Sequence, residues 1–206
     1  MLCKNDVILR GWILEPFKLH HVTEQVQIYK GIIRTKRKSG TEDILPVHIT
    51  RDMLNSLERL PVLDDFVEIR GAYHSRNIYG EDNKKHLQLY VQAKSIEFDD
   101  SVTHPSENII NLSGLMMRCG NVRTTTSGRI VVDFQLATFR HTNRRSCIPC
   151  IAWGRKVDYV ERLQREDFVS LKGRIQSREY TKFENGEYIT RTAYEVSVTE
   201  FDKETV

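Results

Sequence analysis

The chain has 206 residues, 39% of them hydrophobic and 29% charged, with a formal net charge of +3. That length suits two globular domains of common size, and so small a charge cannot by itself identify a polyanionic partner. No apolar run approaches the ~18 residues of a membrane span, and no apolar segment follows Lys4 as a signal sequence would require, so a cytoplasmic location is expected.

In chain order, the first module (1–100) opens with Asn5 and the run Val7-Ile8-Leu9-Arg10-Gly11. It continues to a basic stretch at Lys36, Arg37 and Lys38, then to a helical spacing in Met53, Leu54, Leu57 and Leu60. Phe66-Val67-Glu68-Ile69-Arg70-Gly71 follows, with Ser75-Arg76 shortly after. Residues 101–107 are polar, lack periodicity and include Pro105, which marks a linker. The second module (108–206) then repeats the pattern: Asn108 with Ile110-Asn111-Leu112-Ser113-Gly114, Phe168-Val169-Ser170-Leu171-Lys172-Gly173, and Ser177-Arg178. Two copies of one unit therefore fill the chain.

Strands are predicted in the second module over 109–117, 130–140, 148–153, 167–178 and 188–201, with a short helix over 155–163 that places Val157, Val160 and Leu163 on one face. Five strands with a helix between the third and fourth is the order of the OB-fold, a five-stranded Greek-key barrel. The expected fold is all-β: two tandem OB-folds, with Gly11, Gly71, Gly114 and Gly173 at bulges or tight bends.

The span 167–180 alternates strictly. Val169, Leu171, Gly173, Ile175 and Ser177 share one face, and Lys172, Arg174, Gln176, Arg178 and Tyr180 share the other. Cations spaced two residues apart and ending at a ring suit a phosphate track with a base platform, although a solvated strand face reads the same way. Arg140, Arg144 and Arg145 make a second basic loop at the place of Lys36, Arg37 and Lys38 in the first copy. Phe139 and Trp153, the latter beside Gly154-Arg155-Lys156, add further rings. Arg70 and Arg76 keep part of the basic face in the first module, where Tyr73 and Tyr79 are the available rings.

Catalysis finds no support: there is no phosphate loop, no H-E-x-x-H and no nucleophile elbow, and the seven histidines are scattered. Cys147-Ile148-Pro149-Cys150 is a C-x-x-C, compatible with a redox pair or half a zinc site. No second pair follows, and two strand cysteines, one buried, is the preferred reading. No cofactor, no metal and no catalytic residue is expected.

Residues 108–201 resemble the bacterial single-stranded DNA-binding protein family. The likeness lies in 108–114, in Phe134-Gln135-Leu136-Ala137-Thr138, in 148–156 and in Gly173-Arg174-Ile175-Gln176-Ser177-Arg178-Glu179-Tyr180. It implies an OB-fold, base stacking on Trp153 and Tyr180, strand contacts by Arg174 and Arg178, and assembly into four OB domains, here as a homodimer. Two stacking positions of the family fall on Cys147 and near Thr142, and the first module matches weakly, with Thr50 in the place of Trp153 and Ile78 in that of Tyr180. The chain ends at Lys203-Glu204-Thr205-Val206 where the family carries an acidic tail, so tail-borne recruitment of replication proteins is not expected. The function implied is sequence-independent binding of single-stranded DNA in replication, recombination and repair. The alternatives are a primosome-type adaptor whose barrels bind proteins, or binding of single-stranded RNA.

Overall fold

The computed structural model describes residues 4–23, 25–80, 83–139, 145–184 and 186–202. Arg140, Thr142, Arg144 and the terminal residues 203–206 named above lie outside them.

The first half is β1 (Asn5–Val22), β2 (Gln27–Lys36), β3 (Glu42–Thr50), α1 (Arg51–Ser56), β4 (Phe66–Tyr79) and β5 (Lys85–Phe98). The second is β6 (Glu107–Cys119), β7 (Arg123–Thr124), β8 (Ile130–Phe139), β9 (Arg145–Trp153), α2 (Lys156–Arg162), β10 (Phe168–Glu184) and β11 (Glu187–Phe201). β1 joins β2 and β4, β3 joins β2 and runs parallel to β5, and β4 joins β5, which closes a five-stranded barrel. β6, β8, β9, β11 and β10 close a second in the same order, again with one parallel pair, β9–β11. Both barrels are OB-folds.

Period-two patterning drives these strands. In β1, Val7, Leu9, Gly11 and Ile13 alternate inward, and in β10 Val169, Leu171, Gly173 and Ile175 do the same. Removing such a side chain, for instance by Leu171→Ala, costs about 2–5 kcal/mol in a packed core.

The repeated glycines have a steric reason. A Cβ on Gly71 would run into the Gln92 carbonyl oxygen, and one on Gly173 into that of Ser197, each at a register shift where the strand bends around the barrel (Arg70/Gly71 and Lys172/Gly173). The repeated asparagines have an equally plain one. Asn5 Oδ1 accepts from Tyr73 N and its Nδ2 donates to Tyr73 O, both at 2.8 Å. Asn108 makes the same two bonds to Ile175, at 2.9 and 2.6 Å. Tyr73 and Ile175 each lie two residues past the repeated glycine, where the β1–β4 and β6–β10 ladders have ended. Each asparagine side chain thus supplies the rung its ladder lacks.

The barrels join through β1 and β6, which pair antiparallel from Asn5↔Leu112 to Arg10↔Glu107. Val7 faces Ile110, its own counterpart in the repeat, so the junction is locally two-fold, like the interface of a symmetric dimer. The connection expected to be a linker is pinned at both ends. Asp99 accepts from Thr103 and His104, and Ser106 Oγ donates to Arg10 O and accepts from Lys36 N.

α2 agrees with the sequence reading, with Val157 and Val160 buried. α1 is shorter than its leucine spacing predicts. It ends at Ser56, Leu57 is extended (φ −73, ψ 146), and Leu60 is 63% exposed. Pro61 disfavours helical backbone at Leu60, so the helix does not reach the last leucine of that spacing. No helix among the described residues is long and apolar enough to cross a membrane.

Candidate nucleic-acid interface

β10 crosses the outer side of the second barrel with Arg174 and Arg178 pointing away from the core. β9 ends beside it at Trp153, after which the tight turn at Gly154 (φ +58) starts α2 and brings up Lys156. Gly154 N donates to Ile130 O, which draws the preceding residue, Arg129, to the same place. These side chains line a groove of about 620 Å³ with Gln176, Ser177, Ser197 and Thr199. Among the described residues no carboxylate lines it.

Two donors in this region have no partner among the described residues: Arg174 Nε and Trp153 Nε1, both buried as atoms. The Arg174 guanidinium is half-buried, and burial followed by the nearby charge of Arg37 depresses its pKa from the ordinary arginine value. Its Nη2 donates to Gln176 Oε1 at 3.3 Å, and Gln176 Nε2 donates to Glu195 at 2.6 Å, which fixes the floor. Tyr180 is 37% exposed, with the Arg178 guanidinium 5.8 Å from its ring centre. A cation beside an accessible ring is suited to holding a base and its phosphate together.

The groove also takes residues from the first barrel. Arg37 and Thr41, in the β2–β3 connection, form part of its wall. Arg37 is held by the fully buried Asp43 through Nε–Oδ2 at 2.7 Å and Nη2–Oδ1 at 2.5 Å. Ser177, expected on the core side of β10, instead crosses to the other barrel: its N donates to Asp43 Oδ1 at 3.0 Å and its Oγ accepts from Ile44 N at 2.9 Å.

The expected site residues divide clearly. Trp153, Lys156, Arg174, Arg178 and Arg37 line one groove, with Tyr180 next to Arg178. Phe139 and Arg145 pair with each other at 5.3 Å at the opposite end of the β8–β9 hairpin, eight residues from Trp153, on the order of 25 Å along the strand. Lys172 and Arg155 are exposed but do not line the groove, nor do Lys36 and Lys38. Arg70 is paired with Glu68 at 2.6 Å. Arg129 and Thr41 escaped the sequence reading; the turn signal Ser127-Gly128 ahead of β8 was the available hint for Arg129.

The matching face of the first barrel is filled. His48 stacks on Tyr90 (centroids 4.0 Å apart, 20° between planes), His20 and His21 cover them from β1, and Arg76 Nη1 meets His21 Nε2 at 2.9 Å. Tyr73, one of the two candidate rings here, is 1% exposed and belongs to the core, because β4 alternation turns it inward; it cannot stack on a ligand. Tyr79 is 67% exposed at the tip of the β4–β5 hairpin, with Lys85 beside its ring. Cys147 and Cys150, three apart on a strand, point to opposite faces, and burial raises the Cys150 thiol pKa steeply. Among the described residues no cluster has three metal-ligating side chains.

Two closed OB barrels, one carrying a cationic groove flanked by rings, define a tandem OB-fold protein of the nucleic-acid-binding kind. Residues 107–203, the second barrel, match the Single-strand binding protein family. Over the full chain the fold is similar to the wild-type single-stranded DNA binding protein from Thermus aquaticus. The TM-score is 0.78 at 17% identity, covering 100% of this chain and 95% of that one. A deletion mutant of the same protein gives 0.77 at 17% identity, over 99% and 96% of the two chains. The N-terminal domain of PriB protein from Thermoanaerobacter tencongensis aligns over 46% of this chain and 96% of its own, at 26% identity and a TM-score of 0.38. No curated protein sequence matches the chain.

Proposed function

We propose that this protein binds single-stranded DNA largely independently of sequence, without catalysis, in the cytoplasmic work of replication, recombination and repair, and that the second barrel supplies the principal contacts. The observation that carries this reading is the groove itself: cations unopposed by any lining carboxylate among the described residues, two orphaned donors, and the rings Trp153 and Tyr180 at its edges. Phosphates satisfy the cations and orphaned donors, and unpaired bases stack on the rings. The phosphate contacts and the π-faces are the same for every sequence, which is why little sequence preference is expected.

Each stacked base contributes ~1–3 kcal/mol, and each neutralised phosphate adds ~0.7 to the salt slope. Trp153→Ala combined with Tyr180→Ala therefore weakens oligo-dT binding on the order of a hundredfold. An affinity unmoved by the pair removes this face as the stacking platform. A matched RNA oligonucleotide in the same titration tests the choice of nucleic acid, since no reader of the 2′-hydroxyl is evident.

Assembly into a homodimer that presents four barrels is the family-based expectation for a chain that already holds two. Light scattering at micromolar concentration tests it, with a monomer counting against it.

A further inference from the structure

The geometry points to a composite binding site: the first barrel is part of the strand-binding groove, through Arg37, which Asp43 positions as a phosphate contact at the junction of the two barrels. This rests on the single-stranded DNA reading and extends it, because it gives the first barrel a task and routes the strand across the junction.

The β2–β3 connection that carries Arg37 is fastened on both sides to the second barrel and to the segment that leads into it. Before the loop, Lys36 N donates to Ser106 Oγ at 2.8 Å and Asn108 Nδ2 to Thr35 Oγ1 at 3.3 Å. After it, Asp43 and Ile44 bond Ser177, which lies between two groove residues, Gln176 and Arg178. A solvated loop that only kept the protein soluble would need none of these bonds.

Asp43 is 0% exposed, and its carboxylate takes Nε and one Nη2 hydrogen of Arg37 while also accepting from the β10 backbone. That leaves both Nη1 hydrogens and the second Nη2 hydrogen of the guanidinium fork for the groove. Arg37 and Arg174 act on each other as like charges across this space. A buried pairing that merely neutralised Arg37 would not aim it at another guanidinium. An anion between the two relieves the repulsion and supplies acceptors to both.

The test is made on the full chain. Arg37→Ala with Asp43→Asn leaves the net charge of the chain unchanged and keeps an oxygen for Ser177 N, so a role through overall charge or through latching alone predicts wild-type binding. The composite site predicts on the order of five- to tenfold weaker oligo-dT binding at low salt, with the salt slope reduced by ~0.7. Thr41→Glu gives a second reading that does not disturb the core, because Thr41 is exposed and lines the groove only from the first barrel. It weakens binding severalfold more than Ser101→Glu, in the connection between barrels, and it decides the matter alone if the double variant does not fold. Wild-type affinity and slope in both tests, with binding still lost in Trp153→Ala/Tyr180→Ala, overturns the composite site and leaves the function standing. A wild-type chain that binds no oligonucleotide overturns both.

Discussion

Asn108→Ala should destabilise the protein far more than a partly exposed polar residue ordinarily does. The substitution deletes the acceptor for Ile175 N and the donor to Ile175 O, and with them a weaker contact to Thr35 Oγ1 at 3.3 Å. Ile175 is 0% exposed, and its ladder partner on that side has already ended at the Ile110↔Gly173 pair, so among the described residues no other group stands ready for either backbone atom. Two orphaned backbone groups at ~1–3 kcal/mol each, reduced because water can reach a half-buried site, give about 2–3 kcal/mol. For a chain of this size that lowers the unfolding midpoint by about 5–10 °C. Thermal unfolding followed by circular dichroism reads the shift. Asn5→Ala should match it to within ~1 kcal/mol because the first barrel repeats the geometry, while Asn111→Ala, on the same strand without such bonds, should stay within ~0.5 kcal/mol of wild type. If Asn108→Ala behaves like Asn111→Ala, the side-chain rung is not what this part of the repeat preserves.

Burial beside His20, His21, Arg76 and Lys30 holds the His48 pKa down at about 3, from 6.5. The unfolded chain therefore takes up a proton that the folded one refuses, so this stability is complete above pH 6.5 and is lost as pH falls toward 3. Urea unfolding should show about 2 kcal/mol less stability at pH 5 than at pH 7 from His48 alone, and His48→Phe, which keeps the ring on Tyr90, should remove that part. His20 and His21, whose pKa values burial also lowers, add in the same direction, so the His48 part is the difference between the wild type and the variant, and the carboxylates Asp65, Glu68 and Asp99 lose their stabilising share chiefly below pH 5. Gly173→Ala should cost about 2–3 kcal/mol in a urea titration, because a backbone carbonyl rather than a flexible side chain stands in the way of the methyl group; an unchanged midpoint would mean that β11 yields freely at Ser197.

The duplication and the barrel strands of the second module were legible because both rest on local pattern: the alternation of Val169, Leu171 and Ile175, and the glycines and asparagines at fixed spacing. What the repeat did not disclose is that its copies pair with each other. Val7 against Ile110 is a contact between residues a hundred positions apart, and alternation says which face is buried, not which strand lies alongside. The same limit explains Ser177, whose position in the alternation assigned it to the core although a second barrel occupies that side. The groove was half visible. Trp153, Arg174, Arg178 and Tyr180 followed from one strand and one motif, whereas Arg129 and Asp43 come just after the turn signals Ser127-Gly128 and Ser39-Gly40, which mark a bend without saying what it packs against. Tyr73 shows the opposite error, since a ring in the right part of the repeat turned out to fill the core, and the first barrel's outer face is closed by histidines.

The most direct trial of the account is a titration of the full chain with oligo-dT, read by tryptophan fluorescence at roughly 50 and roughly 200 mM salt. Four groove cations in the second barrel, with Arg37 from the first, predict a slope of about 3.5, a quenched signal at low salt and on the order of a hundredfold weaker binding at the higher concentration. No binding at the lower salt, or binding indifferent to salt, would contradict it.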